Sequence, residues 1–201
     1  MNVGNRDKAV GEYRSNNRLL TVAVTCACVG FLLLAAKVTF MSEIVVNQVP
    51  GMPDGAKIWR NGMDEGAVEA QAFAVANALA SVNPSNAESV KKFVQPFLSP
   101  DAYTVVSKAI DNKAAQLAQQ HELGSYYLVL GARPFYHDDK LGRVFVSGEL
   151  HTVNAARDTS EPWVFEFPVR FANYRMWFDG VTAYVGDKIH NSDWIEAQNK
   201  K

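Results

Sequence analysis

An uninterrupted apolar stretch near the N-terminus constrains this chain more than any other feature of its sequence. Residues 19–36 read LLTVAVTCACVGFLLLAA and carry no charge. As a helix they span about 27 Å, close to the hydrocarbon thickness of a bilayer. Continuing to Met41 brings the length to about 34 Å. This extension includes Lys37, whose long side chain can reach the headgroups from near the end of the helix. We therefore predict one transmembrane helix over residues 19–41.

A cleaved signal peptide is the alternative interpretation of this segment. Signal peptides have an apolar region of about 7–15 residues, a compact basic start and small residues before the cleavage site. Here Leu34 stands where a small residue is needed before Lys37, and the first 18 residues include Asp7 and Glu12. An uncleaved anchor fits these features better.

Charges on the two sides of the predicted helix indicate its orientation. Residues 1–18 contain Arg6, Lys8, Arg14 and Arg18, whereas residues 37–56 contain one cation, Lys37. Cationic flanks stay in the cytoplasm. We therefore expect a single-pass membrane protein with residues 1–18 in the cytoplasm, residues 42–201 across the membrane, and the lipid bilayer as a partner. In a diderm bacterium this places the helix in the inner membrane and residues 42–201 in the periplasm.

Small residues within the predicted helix indicate where another helix can approach it. Cys26 and Gly30 are four residues apart, which is a spacing that permits close packing between membrane helices. Cys26 and Cys28 are the chain's two cysteines, which excludes a disulfide-rich scaffold and a multi-cysteine zinc site. They point in different directions along a helix, and we interpret both as small apolar residues.

The balance of charge excludes one broad class of function. The chain has 20 basic and 21 acidic side chains, for a net charge of −1, whereas domains that coat nucleic acid are usually strongly basic. Local contact with DNA through Lys91, Lys92 and Lys108 stays open. A composition that is 48% hydrophobic and 11% aromatic is typical of a folded domain.

The order of hydrophobic patterns after the anchor predicts an α+β domain. Residues 42–64 are rich in Gly, Pro and Asn and read as a connector. Three helical patterns follow, interrupted by Asn83-Pro84 and Pro96 and ended by Gly124. Four strand patterns of period 2 come next, over residues 125–136, 143–154, 163–171 and 176–185.

Helices followed by strands with short connections bury one face of an antiparallel sheet. We assign residues 65–190 to this domain and residues 191–201 to a polar tail. Pro168 has no N–H to donate to a neighbouring strand, which predicts a sheet edge or a bulge there.

The sequence contains no motif typical of catalysis, cofactor binding or metal binding. It has no Walker loop, GxGxxG, HExxH or GxSxG motif. His137, followed by two aspartates, is more typical of a turn than of a metal site, and His121 stands in the last turn of a predicted helix. Asp179 is expected to form a structural ion pair. We predict no catalytic residue, no cofactor and no metal.

Aromatic side chains in the strand patterns exceed what core filling requires. Tyr and Trp are favoured at protein interfaces because they bury large areas at small entropic cost. Glu149 and His151 share one strand face, which is typical of a solvated or interface-facing pair. The candidate interaction surface consists of Tyr126, Tyr127, Phe145, Glu149 and His151.

This order of elements resembles the TraE family of conjugative pilus assembly proteins, relatives of the VirB-type inner-membrane components of type IV secretion. The segments that carry the resemblance are KKFVQPFLSPDAYTVVSKAI at 91–110, GRVFVSGELHTV at 142–153 and MWFDGVTAYVGDK at 176–188. The resemblance implies a periplasmic cone similar to nuclear transport factor 2, with three helices on a curved four-stranded antiparallel sheet. It also implies self-association and contacts with core-complex and inner-membrane subunits in channel and pilus assembly. It implies no enzyme activity.

One departure from the VirB branch limits what the resemblance implies. The Asn-Pro-x-Gly motif of that branch is absent near the sheet, and Asn83-Pro84 follows the first helical pattern instead. The dimer contacts of that branch are therefore not carried over.

Two alternatives to the secretion scaffold stay open. One is a membrane-tethered periplasmic enzyme or ligand-binding protein that uses the interior of the cone. Such a site needs polar groups that converge in an apolar cavity, and its candidates are Asp179, His151 and Tyr127. The other is an envelope adaptor, for example in cell division, whose loss would leave DNA transfer intact.

Overall fold

The computed structural model describes residues 3–40, 43–45, 56–120, 124–154 and 158–200. The chain divides into two compact units, Met1–Ser42 and Glu43–Lys201. Met41, the predicted end of the transmembrane helix, and His121, predicted in the last turn of a helix, lie outside the described residues.

The first unit contains one long helix, α1, over Val3–Phe40. It is long and apolar enough to cross a membrane over Gly11–Thr39. The helix therefore covers residues 19–40 of the predicted span and continues through most of the predicted cytoplasmic segment. The hydroxyls of Thr21 and Thr25 donate to the carbonyls of Asn17 and Thr21, at 2.7 and 2.8 Å, which satisfies them within the helix.

The second unit begins with three short strands, β1 (Glu43–Val45), β2 (Lys57–Trp59) and β3 (Gly62–Met63), which form a small antiparallel sheet. Ile58 and Met63 are each 7% exposed and belong to the hydrophobic core. This part of the predicted connector is therefore folded into the second unit, because its apolar residues alternate with exposed ones and pack on the core.

Three helices follow, as predicted: α2 (Glu65–Ala80), α3 (Ala87–Val94) and α4 (Pro100–Gln120). Asp64 precedes α2, but its carboxylate accepts a hydrogen bond from the backbone N–H of Lys57 instead of capping the helix. Pro96 lies in a 3-10 turn that ends the α3 region, in keeping with its missing amide donor. Pro100 is the first residue of α4, where that donor is not needed.

The main sheet among the described residues has five antiparallel strands. They are β4 (Ser125–Asp138), β5 (Arg143–Val153), β6 (Asp158–Ala172), β7 (Arg175–Phe178) and β8 (Thr182–Val185). β4, β5 and β6 are neighbours in that order, and β7 and β8 both pair with the far side of β6.

The prediction of four strands was wrong at its last member, because residues 176–185 form two strands instead of one. β8 pairs with residues 163–166 of β6, and β7 pairs with residues 169–172. Pro168 lies between these two pairings and donates to neither, while its carbonyl accepts from the N–H of Asp179 at 2.9 Å. The interruption that Pro168 predicted therefore occurs as a change of neighbouring strand.

The core lies between the helices and one face of this sheet. It contains Val75 of α2, Ile110 of α4, Val146 of β5 and Phe167 of β6, all nearly inaccessible to solvent. Phe167 and Phe178 pack with ring centroids 4.8 Å apart. The α+β class with helices on one face of an antiparallel sheet is therefore confirmed.

The chain continues past the sheet into a short helix, α5 (Ser192–Asn199). The predicted polar tail is helical because Asn191 caps it: its side-chain oxygen accepts from the N–H of Trp194 at 3.0 Å. We call residues 186–199 the C-terminal segment.

Candidate functional site

The five-stranded sheet has one face toward the helices and one face away from them, which we call the outer face. Successive side chains of a strand point to opposite faces. Val144 and Val146 of β5 belong to the core, so Phe145, Glu149 and His151 lie on the outer face. Tyr127 of β4 is directly opposite His151 and shares that face.

A group of polar and aromatic side chains gathers at one end of the outer face. The rings of Tyr127 and His151 stack with centroids 4.9 Å apart. Nδ1 of His151 lies 3.2 Å from the carboxylate of Asp158, and Nε2 lies 3.8 Å from that of Glu149. We call Tyr127, Glu149, His151 and Asp158 the outer-face cluster.

Exposed apolar surface lies beside this cluster. Tyr127 is 40% exposed, and Val129, two residues further along the same face of β4, is 44% exposed. Val129 is not among the five predicted interaction residues, although its period-2 spacing from Tyr127 puts it on the same strand face. Together these residues form a mixed aromatic, aliphatic and charged surface.

Two of the five predicted interaction residues do not belong to the exposed part of the outer face. Tyr126 is on the helix-facing side of β4, where the ammonium of Lys113 lies 5.6 Å from its ring centroid. Phe145 is on the outer face but is 1% exposed, with the ring of Tyr136 6.0 Å away. The strand period separates Tyr126 from Tyr127, and neighbouring groups on the outer face bury Phe145.

The C-terminal segment attaches to residues that flank Phe145 on this sheet. The N–H of Ser192 donates to the Asp138 carboxylate at 2.6 Å. The N–H of His190 donates to the hydroxyl of Tyr184 at 3.1 Å, and the Asn191 side chain donates to the hydroxyl of Tyr136 at 3.2 Å.

Ring stacking completes this attachment. The His190 ring lies between Tyr184 and Trp194, with centroid distances of 4.1 and 4.0 Å. Burial raises the pKa of the Tyr184 hydroxyl. The hydrogen bond from the Ser192 amide lowers the pKa of Asp138, because it stabilises the ionised carboxylate.

The three candidates for an acid–base site do not form a common group with one another. Tyr127 and His151 stack on the outer face. Asp179 follows β7 and makes a two-oxygen ion pair with the guanidinium of Arg170, with its shortest distance at 2.8 Å. The predicted ion pair of Asp179 is therefore confirmed.

His137, considered as part of a metal site, contacts a carboxylate instead. Nε2 of His137 lies 3.1 Å from the carboxylate of Glu69 on α2. No group of three or more His, Cys, Asp or Glu side chains within the described residues is arranged to hold a metal ion.

The basic residues considered for DNA contact include one that is neutralised by neighbours. Lys91 pairs with Asp111 at 2.8 Å and with Glu88 at 2.5 Å. Hydrogen bonds that the Lys91 ammonium donates to these carboxylates, that to Asp111 first, raise its pKa. This pairing reduces the positive charge that Lys91 can offer to a phosphate.

The predicted packing residues of the anchor lie on α1. Cys26 is exposed, and a methyl group added at Gly30 would meet no atom within 4 Å. Among the described residues, no atom occupies the space beside Gly30. The packing role of Cys26 and Gly30 stays a prediction.

Comparison with solved structures identifies domains of similar architecture. The periplasmic domain of DotI is 13% identical, with a TM-score of 0.51, over 61% of this chain and 96% of that one. VirB8 from Agrobacterium tumefaciens is 10% identical, with a TM-score of 0.49, over 62% and 94% of the two chains. An IcmL-like type IV secretion system protein from Legionella pneumophila is 12% identical, with a TM-score of 0.48, over 64% and 97%.

The likeness to the DotI domain shows a shared fold, and the expected class of an apolar helix followed by a domain like nuclear transport factor 2 is confirmed. The comparison with curated protein sequences found no match. A family model described as TraE protein matches residues 1–183, which include the apolar helix and the five-stranded sheet up to β8. The chain therefore belongs to the TraE family.

Proposed function

We propose that this protein is a non-enzymatic inner-membrane scaffold of a conjugative type IV secretion system. The observation that carries the proposal is the family match over residues 1–183, which takes in the anchor and most of the folded unit as one continuous region. The protein acts through contacts with other proteins during assembly of the channel and pilus, and it needs no cofactor.

The orientation in this proposal rests on the charge distribution. The cationic residues before the apolar stretch keep the N-terminus in the cytoplasm. The second unit then lies in the periplasm, where it meets a second copy of the chain and other core-complex and inner-membrane subunits.

The outer-face cluster and Val129 are the proposed contact surface. Aromatic residues are enriched at the centres of protein interfaces, and polar groups form the rim around them. The surface includes three residues of the interaction surface predicted from the sequence, Tyr127, Glu149 and His151. Val129 extends it along β4, an edge strand that has only β5 as a neighbour among the described strands.

DNA transfer from a donor that lacks this gene tests the function. We expect transfer to be lost, and to return with the full chain but not with residues 42–201 exported alone, because the scaffold must be anchored. Normal transfer in a deletion strain without a second copy would contradict the conjugation role and favour an envelope adaptor.

A matched pair of variants tests the contact surface. Val129→Arg places a charge beside the outer-face cluster, whereas Val105→Arg makes the same change on α4, where Val105 is 69% exposed. We expect Val129→Arg to reduce transfer at least tenfold and Val105→Arg to leave it unchanged, with both proteins at normal levels in the membrane. Equal transfer by the two variants would remove this surface from the proposal.

A further inference from the structure

A cavity of about 280 Å³ lies between the C-terminal end of α2, one face of α4 and the helix-facing side of the main sheet. Its walls are mostly aliphatic and aromatic. They include Leu79 at the end of α2, Ile110 of α4, Leu150 of β5 and Phe165 of β6. The space is partly open to solvent and lies on the side of the sheet opposite the outer-face cluster.

Lys113 is the one cationic side chain among the residues that line this cavity. Its ammonium donates to the carbonyls of Leu79 and Ala80, both at 3.2 Å. An ammonium has three N–H donors, so one donor has no carbonyl acceptor among the described residues. Burial lowers the pKa of Lys113, since the apolar surroundings disfavour the charged form.

Trp163 also lines this cavity. Its Nε1 is buried and has no hydrogen-bond partner within the described part of the chain. Buried polar groups are nearly always hydrogen-bonded, and an indole N–H can act only as a donor. The residues that line this cavity therefore combine apolar side chains with one cationic side chain and one buried donor that lacks an acceptor.

We propose that the cavity binds a small amphiphilic carboxylate, whose tail lies along the apolar wall and whose two oxygens accept from Lys113 and Trp163. A carboxylate supplies the missing negative charge and the missing acceptor in one group. The volume is slightly below the range of about 300–1,000 Å³ that holds drug-sized ligands, so the ligand is short. This site is additional to the scaffold role and does not depend on it.

Titration of the full chain in nanodiscs with hexanoate tests the proposal. The protein carries 5-fluorotryptophan at its four tryptophans, and ¹⁹F NMR follows each resonance, with Trp163→Phe used for assignment. We expect the Trp163 resonance to shift saturably with hexanoate. Hexylammonium, which has the same tail and the opposite charge, should leave that resonance in place.

Two lysine variants on α4 provide the matched comparison. Lys113→Met should weaken hexanoate binding at least tenfold while leaving the weaker binding of 1-hexanol unchanged. Lys108→Met removes an exposed lysine from the same helix and should bind hexanoate as the original protein does. The proposal is overturned if Trp163 does not respond to hexanoate, if hexylammonium shifts it equally, or if Lys113→Met binds hexanoate normally.

A second variant covers the case in which Lys113→Met does not fold. Trp163→Phe keeps an aromatic ring in the wall and removes the N–H donor. Equilibrium dialysis with labelled hexanoate should then show at least threefold weaker binding than in the original protein. Unchanged binding by a folded Trp163→Phe protein would remove the indole from the site and overturn the proposed geometry.

Discussion

Replacing Asn191 with alanine should release the C-terminal segment from the sheet without unfolding the domain. The Asn191 side chain accepts from the N–H of Trp194 and donates to the hydroxyl of Tyr136. Loss of an N-cap costs about 1 kcal/mol, and loss of one further hydrogen bond costs about 1 kcal/mol. Since about 1.4 kcal/mol corresponds to a tenfold change, the detached state should become about 30-fold more populated.

This effect should be confined to α5, because a helix of eight residues is too short to be stable when detached. Hydrogen–deuterium exchange of the full chain should show about 30-fold faster exchange for the amides of α5. Exchange in β5 should stay unchanged.

Asn112→Ala provides the control, because Asn112 is an exposed asparagine within α4 and should leave exchange in α5 unchanged. Equal protection of α5 in Asn191→Ala and in the original protein would refute the cap-based account of how the C-terminal segment is held.

Three further predictions concern the same segment, the core and the anchor. The pKa of Asp138 is lowered in the folded protein, so its contribution to stability is complete above the ordinary aspartate pKa and is lost as pH falls through the folded value. Exchange in α5 should rise at that pH in the original protein but show no such step in Asp138→Asn. Phe178→Ala should lower the free energy of unfolding by about 3–5 kcal/mol in denaturant titrations, because Phe178 is fully buried; a loss below about 1 kcal/mol would contradict its place in the core. Gly30→Leu should reduce DNA transfer if the Cys26–Gly30 face packs on another helix, whereas Val29→Leu should not. Full transfer after replacement of residues 19–36 by an unrelated span would show that the helix serves only as a membrane tether.

Local rules in the sequence predicted much of the architecture. The uncharged stretch predicted a helix long enough to cross a membrane, and α1 contains it. Pro96 predicted an interruption of the helical patterns through its missing N–H donor, and it lies in a 3-10 turn directly after α3. The change from a period near 3.6 to a period of 2 predicted the passage from helices to strands.

The candidate interaction surface was harder to predict, because it depends on what covers each face. Alternation correctly groups Glu149 with His151, and it also separates Tyr126 from Tyr127. It does not tell which outer-face residues another part of the chain will cover. Phe145 follows the same alternation as His151, yet it is buried.

The sequence by itself determined the apolar helix, the order of helices and strands, and the interruption at Pro168, because each depends on residues close together along the chain. Only the tertiary structure decided that β7 and β8 share β6, that α5 attaches near Phe145, and that Lys113 and Trp163 line one cavity. These features join residues that are far apart in sequence, and they depend on which surfaces pack together rather than on local periodicity.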